Sequence, residues 1–223
     1  RSPLHDTDAV VRLARAVVAR PGFRLVGAMT YEGQVAGLPD SLPTARARSL
    51  VVRRLKSLSL TQLAVRRREI AEALHDVSEL ELWNGGGSGS VEDSAADAVV
   101  TEVAAGSGLL VPTLFDHYRS FRPVPAAYFG VPVTRKPAPE LATVHGGGLV
   151  ASGPAGPDRL PTPWAPAGLH LTGLEGAGEV QTPLTGRAAA LLEIGDLVWF
   201  RHAKSGEPFD HATTVHLLAG NRF

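Results

Sequence analysis

The first half of the chain combines apolar residues at helical spacing with short apolar runs that are typical of strands. Asp6 or Thr7 can cap a first helix, and the pattern then predicts two further helical segments, residues 44–56 and a segment opened by the capping pair Ser59 and Gln62. The predicted strands are residues 23–29, 79–84 and 98–105. Because strands that alternate with helices pair in parallel, we expect an α/β structure here.

The second half of the chain, beyond Pro123, has a different texture. Proline and glycine become frequent, and the helical periodicity disappears. Short β-rich runs alternate with turns at residues 126–134, 141–152, 168–174, 178–183, 196–202 and 213–218. The sequence therefore predicts an α/β plus all-β chain, with a partial α/β barrel in residues 1–122 and a β-domain in residues 123–223. About three strand-helix units precede Gly106, too few to close an eight-stranded barrel.

The second predicted strand runs directly into a loop of glycine and serine, Gly85–Ser90, which we call the glycine loop. Glycine lets successive backbone N–H groups converge on one point, and serine adds hydroxyl donors. Residues 91–96 can form a short helix whose N-terminal amides point at the same anion. The loop is a candidate phosphate cradle, and the alternative is a flexible Gly/Ser turn.

The composition excludes several classes of function. A hydrophobic content of 44% with 20% charged residues is typical of a globular protein. The 22 basic and 22 acidic residues balance, so nothing in the net charge favours nucleic acid or an anionic membrane, and small ligands are favoured instead. Cysteine is absent, which removes disulfides and cysteine nucleophiles and permits a cytoplasmic location.

Many basic residues lie in the predicted helices between residues 46 and 68. They are Arg46, Arg48, Arg53, Arg54, Lys56 and Arg66 to Arg68. Runs of this kind are typical of a solvated helix face, and we assign them no function.

Two polar residues follow the first predicted strand. Tyr31 and Glu32 lie where the C-terminal end of a parallel strand presents side chains to a ligand. They either line a pocket or bond to nearby loops.

Three landmarks in a fixed order resemble those of one known enzyme group. They are the glycine loop, the segment Thr101–Gly108, and a Gly-Asp-x-Val strand starting at Gly195 that is followed by His202. Together they resemble the D-serine dehydratase and D-threonine aldolase group, relatives of alanine racemase that use pyridoxal phosphate. The resemblance covers residues 27–202. It implies the C-terminal part of an alanine racemase-like (β/α)8 barrel followed by a β-rich domain.

The resemblance also implies a cofactor site. In that group the corresponding loop binds the cofactor phosphate, which assigns this role to Gly86, Gly87, Ser88, Gly89 and Ser90. The group's cofactor lysine lies on the first barrel strand, upstream of the first landmark found here. The chain has only Lys56, Lys136 and Lys204, none in that setting, so it looks like the C-terminal portion of such an enzyme.

The chain departs from the group at a metal site near the C-terminus. The group uses His-x-Cys or His-x-Asp there, whereas this chain has His202-Ala203-Lys204. A protonated lysine repels a divalent cation and has no lone pair to give, so we expect no metal. Lys204 would polarise the substrate hydroxyl or hold its carboxylate, with His202 as proton carrier and Tyr31 as a further catalytic residue. The alternative is an exposed pair at a strand end.

The activity implied by the resemblance is that of a pyridoxal-phosphate-dependent lyase, a dehydratase or an aldolase, acting on small D-amino acids that carry a β-hydroxyl. It implies a cytoplasmic homodimer when the enzyme is full length, with neither nucleic acid nor membrane as partner. Two alternatives stay open. One is an amino-acid racemase, and the other is a phosphate-ligand binding module without catalysis.

Overall fold

The structure is a computed structural model that describes residues 2–42, 45–120 and 122–220. Its contacts divide the chain into two compact units, Arg1–Gly108 with His117–Arg122, and Leu109–Asp116 with Pro123–Phe223. We call the first the α/β unit and the second the β-rich unit. The division into domains after residue 122 stays a prediction.

The α/β unit contains a parallel sheet of three strands in the order β1-β2-β3. Its elements are α1 (Thr7–Val18), β1 (Gly27–Met29), α2 (Gly33–Ala36), α3 (Arg46–His75), β2 (Leu82–Gly85), α4 (Val91–Ala95) and β3 (Glu102–Val103), with 3-10 helices at Ser88–Ser90 and Gly106–Leu109. The expected parallel pairing is confirmed, although each strand is shorter than its apolar run. Gly85 pairs with Val103, so the carboxyl ends of β2 and β3 lie side by side.

The core of the α/β unit lies between the first helix, the long helix and the middle strand. Ala14 of α1, Ile70 and Leu74 of α3, and Trp83 of β2 are its buried members. The predicted cap of α1 is confirmed, because the Asp6 carboxylate accepts a hydrogen bond from the Ala9 N–H at 2.7 Å.

Helix α3 is continuous over 30 residues, and the predicted break before Ser59 is wrong. Residues 45–75 contain neither glycine nor proline, so no residue interrupts the backbone pattern of the helix. Ser59 and Gln62 therefore lie within the helix rather than at its start. The Thr61 hydroxyl donates to the carbonyl oxygen of Ser57 at 3.1 Å, a bond that a helix interior accommodates.

The β-rich unit contains a six-stranded antiparallel sheet in the order β6-β9-β4-β5-β8-β7. Its elements are β4 (Phe129–Ala138), β5 (Leu141–His145), β6 (Thr162–Ala165), β7 (His170–Leu171), β8 (Gln181–Thr185), β9 (Leu197–Arg201) and α5 (Glu207–Asp210). The two edge strands contact each other, so the sheet is nearly closed. Its core includes Val144, Leu184, Val198 and Phe200.

Two strand assignments in this unit differ from the prediction. Strand β6 is not among the predicted strands, and its Pro163 is tolerated because β6 is an edge strand. The predicted strand at 213–218 is absent; these residues are exposed and form no ladder. An alternating apolar pattern stabilises a strand only where a neighbouring strand accepts its hydrogen bonds.

We expect Leu184→Ala to lower the free energy of unfolding of the β-rich unit by about 2–5 kcal/mol, because it leaves a cavity among residues that cannot collapse into it. Leu184 is 0% exposed, whereas Leu191 is 83% exposed and provides the control. Leu191→Ala should change stability by no more than about 0.5 kcal/mol. Urea unfolding followed by circular dichroism measures both. Equal losses would contradict the assignment of the core.

Candidate functional site

The glycine loop begins where the chain leaves β2 in a left-handed conformation. Gly86 has φ +87°, which side-chain-bearing residues rarely adopt. A Cβ at this position would also lie 2.9 Å from Cγ1 of Val103. Glycine is therefore required here both by the backbone angle and by the approach to β3.

The rest of the loop packs closely against its surroundings. A Cβ on Gly89 would lie 2.3 Å from the Ala36 carbonyl oxygen and 2.5 Å from Cε1 of Tyr118. Tyr118 is buried, as predicted for a packing aromatic, and its hydroxyl donates to the same carbonyl at 2.8 Å. A loop held this tightly does not fit the alternative of a flexible turn.

Two serine hydroxyls meet at the carboxyl ends of neighbouring strands. The Oγ atoms of Ser88, after β2, and Ser107, after β3, are 2.9 Å apart. Each serine lies at the beginning of a 3-10 helix, Ser88–Ser90 and Gly106–Leu109. The first N–H groups of a helix lack intrahelical acceptors, so hydroxyl and amide donors are concentrated at one place.

Three of the predicted cofactor-binding residues, Gly86, Gly87 and Ser90, have donors engaged within the protein. The Gly86 N–H donates to the Glu32 carboxylate at 3.2 Å. The Gly87 N–H donates to Ser90 Oγ at 3.1 Å, and this hydroxyl in turn donates to the Gly87 carbonyl at 3.3 Å. The Ser90 hydroxyl thus bonds to both backbone groups of Gly87, within the same turn. Ser88 Oγ is bonded to another rotatable hydroxyl, that of Ser107, rather than to a backbone group or a carboxylate, which makes Ser88 a stronger candidate for an anion donor than Gly86 or Ser90.

Glu32 lies behind the glycine loop and is 0% exposed. Its Oε2 accepts hydrogen bonds from the Gly86 N–H and from Arg67 Nη2 (2.7 Å), and its Oε1 accepts one from the Ser94 hydroxyl. Burial by itself would raise the pKa of Glu32, but the Ser94 hydrogen bond and the Arg67 charge outweigh burial and lower the pKa below its usual value. Glu32 is thus a buried carboxylate that is charged at neutral pH.

Arg67 is 3% exposed, so the prediction that it belongs to a solvated basic face is wrong. Its Nε donates to Thr30 Oγ1 at 2.9 Å and its Nη1 to Asp97 Oδ2 at 3.2 Å. Arg67 lies three and seven residues before Ile70 and Leu74, which places it on the buried face of α3. The neighbouring arginines at 66 and 68 are exposed, as expected.

Lys56 is also buried rather than solvated, for the same reason of helical register. It lies 3.5 Å from the Asp40 carboxylate, and its ammonium is 4.7 Å from the centre of the Tyr118 ring. The other two lysines, in the β-rich unit, donate to backbone carbonyls, Lys136 to that of Leu192 and Lys204 to that of Ser152.

Tyr31 is 57% exposed and borders the glycine loop. A Cβ on Gly87 would lie 2.9 Å from Cε2 of Tyr31, so the ring and the loop are in contact distance. The structure thus brings Tyr31 to the loop, and its catalytic role stays a prediction.

His202 follows β9 in the β-rich unit and is 2% exposed, so the alternative of an exposed pair is wrong for this residue. Burial and the charge of Arg201 lower the pKa of His202, while a hydrogen bond to the Ala127 backbone opposes them. Its Nε2 has no hydrogen-bond partner among the residues that the structure describes. The imidazole is therefore neutral at pH 7 with one unused acceptor.

The expectation that no divalent metal binds beside His202 stays a prediction. Lys204 donates from Nζ to the Ser152 carbonyl at 2.6 Å and brings a positive charge two residues from the imidazole. Within residues 2–42, 45–120 and 122–220, no three His, Cys, Asp or Glu side chains are grouped so that they could hold a metal ion.

The same part of the chain has no helix both long and apolar enough to cross a membrane.

Solved structures with the same architecture include D-threonine aldolase from Filomicrobium marinum, with a TM-score of 0.70, 20% identity, and coverage of 91% of this chain and 52% of that one. D-threo-3-hydroxyaspartate dehydratase from Delftia sp. HT23 matches with a TM-score of 0.61 and 20% identity over 91% of this chain and 56% of that one. The chain has the alanine racemase-like fold. Alanine racemase from Clostridium difficile 630 matches with a TM-score of 0.51 and 13% identity over 90% of this chain and 49% of that one.

The chain spans about half the length of the solved structures that it matches. No protein-family model matches the chain, and no curated protein matches its sequence.

Sequence reasoning missed three residues around the glycine loop. Ser107 was part of a recognised landmark but received no role, since its proximity to Ser88 depends on the pairing of β2 with β3. Arg67 could have been found from its helical register with Ile70. Glu32 was considered as a pocket residue, and no sequence signal indicated that it bonds to the loop from behind.

We expect Glu32→Gln to reduce the acid sensitivity of folding. Because the folded pKa of Glu32 lies below its usual value of 4.5, its charge stabilises the fold fully above pH 4.5 and progressively less as the pH falls through the folded pKa. The variant should be less stable than wild type by about 1–3 kcal/mol at pH 7. This difference should narrow below pH 4.5 in denaturant unfolding measured from pH 7 to 3. A difference that stays constant over this range would contradict the charged state of Glu32.

Proposed function

We propose that the chain carries the phosphate-binding side of a pyridoxal phosphate site, in a lyase that acts on small D-amino acids with a β-hydroxyl. The observation that carries the proposal is the contact of Ser88 Oγ with Ser107 Oγ at 2.9 Å, at the ends of two adjacent parallel strands. Ligands of α/β folds bind at this end of the strands.

The donor set fits a phosphate. Both residues are serines, whose hydroxyls rotate to donate to an oxyanion, and they lie in the first turns of two 3-10 helices. Ser88 is 6% exposed, and donors that are shielded from water bind an anion more strongly than exposed ones. Close packing of Gly89 against Ala36 and Tyr118 supports a loop that is ordered before the ligand arrives.

Pyridoxal phosphate, when bound, supplies a ring that stabilises negative charge at the α-carbon of an amino acid. The residues of this chain bind and orient. Ser88 and Ser107 hold the phosphate, and Tyr31 lines the pocket beside Gly87. In the β-rich unit, considered by itself, we assign the role of proton carrier to His202, which is neutral and whose Nε2 has no partner among the described residues, and the place of a metal at the substrate hydroxyl or carboxylate to the Lys204 ammonium.

The names of the matched structures support a D-amino acid with a hydroxyl at the β-carbon. One matched protein is a D-threonine aldolase and another a D-threo-3-hydroxyaspartate dehydratase, whereas a third is an alanine racemase. The proposed full-length enzyme is a cytoplasmic homodimer. Release of a keto acid or an aldehyde from a D-3-hydroxy amino acid tests the lyase, and racemised alanine without either product would favour the racemase.

We expect Ser88→Asp to weaken binding of pyridoxal phosphate by at least about tenfold, because it replaces a donor by a negative charge and a charge-assisted hydrogen bond contributes about 1.5–3 kcal/mol. Ser107→Ala removes one hydroxyl donor and should weaken binding by about fivefold. Calorimetric titration with pyridoxal phosphate measures both.

Two controls accompany this titration. Ser57→Asp adds the same charge at an exposed position of α3 and should leave the affinity unchanged. Pyridoxal, which lacks the phosphate, should not distinguish the variants. Unchanged affinity for pyridoxal phosphate in both Ser88→Asp and Ser107→Ala would mean that the glycine loop and Ser107 do not form the phosphate site.

We expect the chain by itself to form no stoichiometric pyridoxyl-lysine when it is mixed with pyridoxal phosphate and reduced with borohydride. Lys56 is paired with Asp40, and Lys136 and Lys204 donate to carbonyl oxygens. Intact-protein mass and peptide mapping give the readout, with the denatured chain, in which all three lysines are accessible, as control. One fully labelled lysine in the native chain would contradict this expectation.

A further inference from the structure

The carboxylate of Glu32 spans the two ends of the segment that carries the glycine loop. Its Oε2 accepts from the N–H of Gly86, where the chain leaves β2, and its Oε1 accepts from the hydroxyl of Ser94, in α4. Residues 87–93, including Ser88, lie between these two points of attachment. A single buried side chain thus bridges both ends of the segment.

Arg67 holds the Glu32 carboxylate in place. This guanidinium donates to Glu32 at 2.7 Å, to Thr30 at the end of β1 at 2.9 Å, and to Asp97 after α4 at 3.2 Å. Glu32 and Ser94 are both 0% exposed and Arg67 is 3% exposed, so water does not compete for these bonds.

A buried charged pair is a poor device for stability alone. Removing a carboxylate and a guanidinium from water costs several kcal/mol per ion, and well-packed apolar residues often stabilise a fold as well or better. Charged and bidentate groups add geometric specificity, because each donor must meet a particular oxygen at a defined angle. Here that geometry fixes the orientation of the Gly86 peptide, where the turn with φ +87° begins.

We propose that Glu32, oriented by Arg67, is a positioning residue that holds the glycine loop in its anion-binding conformation by tying Gly86 to Ser94. The proposal rests on the proposed function of the loop as a phosphate site. With Glu32 in place, the loop does not have to be ordered when phosphate arrives, and affinity is gained from this preorganisation. The two oxygens of Glu32 already accept hydrogen bonds from Gly86, Arg67 and Ser94, so in this proposal Glu32 acts on the phosphate only through the loop.

The test compares three variants of the chain, titrated with pyridoxal phosphate and with inorganic phosphate. Glu32→Ala releases both ends of the segment and should weaken both ligands at least tenfold. Glu32→Gln keeps an acceptor for Gly86 and Arg67 and a group that can bond to the Ser94 hydroxyl, so it should restore the affinity to within about threefold of wild type. Ser94→Ala releases one end and should give an intermediate loss.

Asp97→Asn provides the matched control. It removes one charged acceptor of Arg67 but leaves the hydrogen bonds of Glu32 to Gly86, Ser94 and Arg67 in place, so it should lower the melting temperature but leave the phosphate affinity within twofold of wild type. Hydrogen exchange followed by nuclear magnetic resonance adds a second readout. The Gly86 amide should exchange much faster in Glu32→Ala than in wild type and should stay protected in Asp97→Asn.

The outcomes separate the inference from the function on which it rests. If the wild-type chain binds neither ligand, the phosphate site is wrong and the inference falls with it. If wild type binds and folded Glu32→Ala binds equally well, or if Asp97→Asn loses as much affinity as Glu32→Ala, the inference alone is overturned. If Glu32→Ala does not fold, Ser94→Ala decides, and an unchanged affinity there overturns the inference.

Discussion

The α/β unit depends on one buried ionic contact, that of Glu32 with Arg67. Neither side chain is accessible to water, and a single unpaired charge at this depth would be severely destabilising. The pair is tolerated because the other polar atoms of both side chains are hydrogen-bonded. Thr30 and Asp97 accept hydrogen bonds from Arg67, and Gly86 and Ser94 donate hydrogen bonds to Glu32. It joins the end of β1, helix α3, the glycine loop and helix α4.

The glycines of the loop serve close packing as much as anion approach. Gly86 needs a left-handed angle, and Gly89 leaves no space for a side chain beside Ala36 and Tyr118. The donors that remain for an anion come from two loops, through Ser88 and Ser107. The glycine loop, which stands out as a single motif in the sequence, thus provides only one of the two serines. The other serine, Ser107, comes from the loop after the neighbouring parallel strand, β3.

The β-rich unit contributes a buried imidazole with one unused acceptor. Its neighbour Arg201 donates from Nη1 and Nη2 to the two oxygens of Asp116, at 2.9 and 2.8 Å, and to the Val111 carbonyl. Among the described residues, Arg201 Nε and His202 Nε2 both lack a partner, but Arg201 Nε can only donate, whereas Nε2 of the neutral imidazole can accept. This is the chemical feature that supports a proton-carrying role within the proposed lyase.

The class of the fold and the position of the glycine loop can be predicted from the sequence, because hydrophobic periodicity and glycine clusters are local signals. Parallel strands before Gly106, the cap at Asp6 and the short helix after the loop all followed from residues near each other in the chain. Only the tertiary structure decided which polar residues are buried. Arg67 and Glu32 are 35 residues apart, and Ser88 and Ser107 are 19 apart. Burial and pairing of such groups depend on contacts between segments that are distant in the chain. A basic residue in a helical segment therefore gives the same local sequence pattern whether its side chain faces water or a carboxylate.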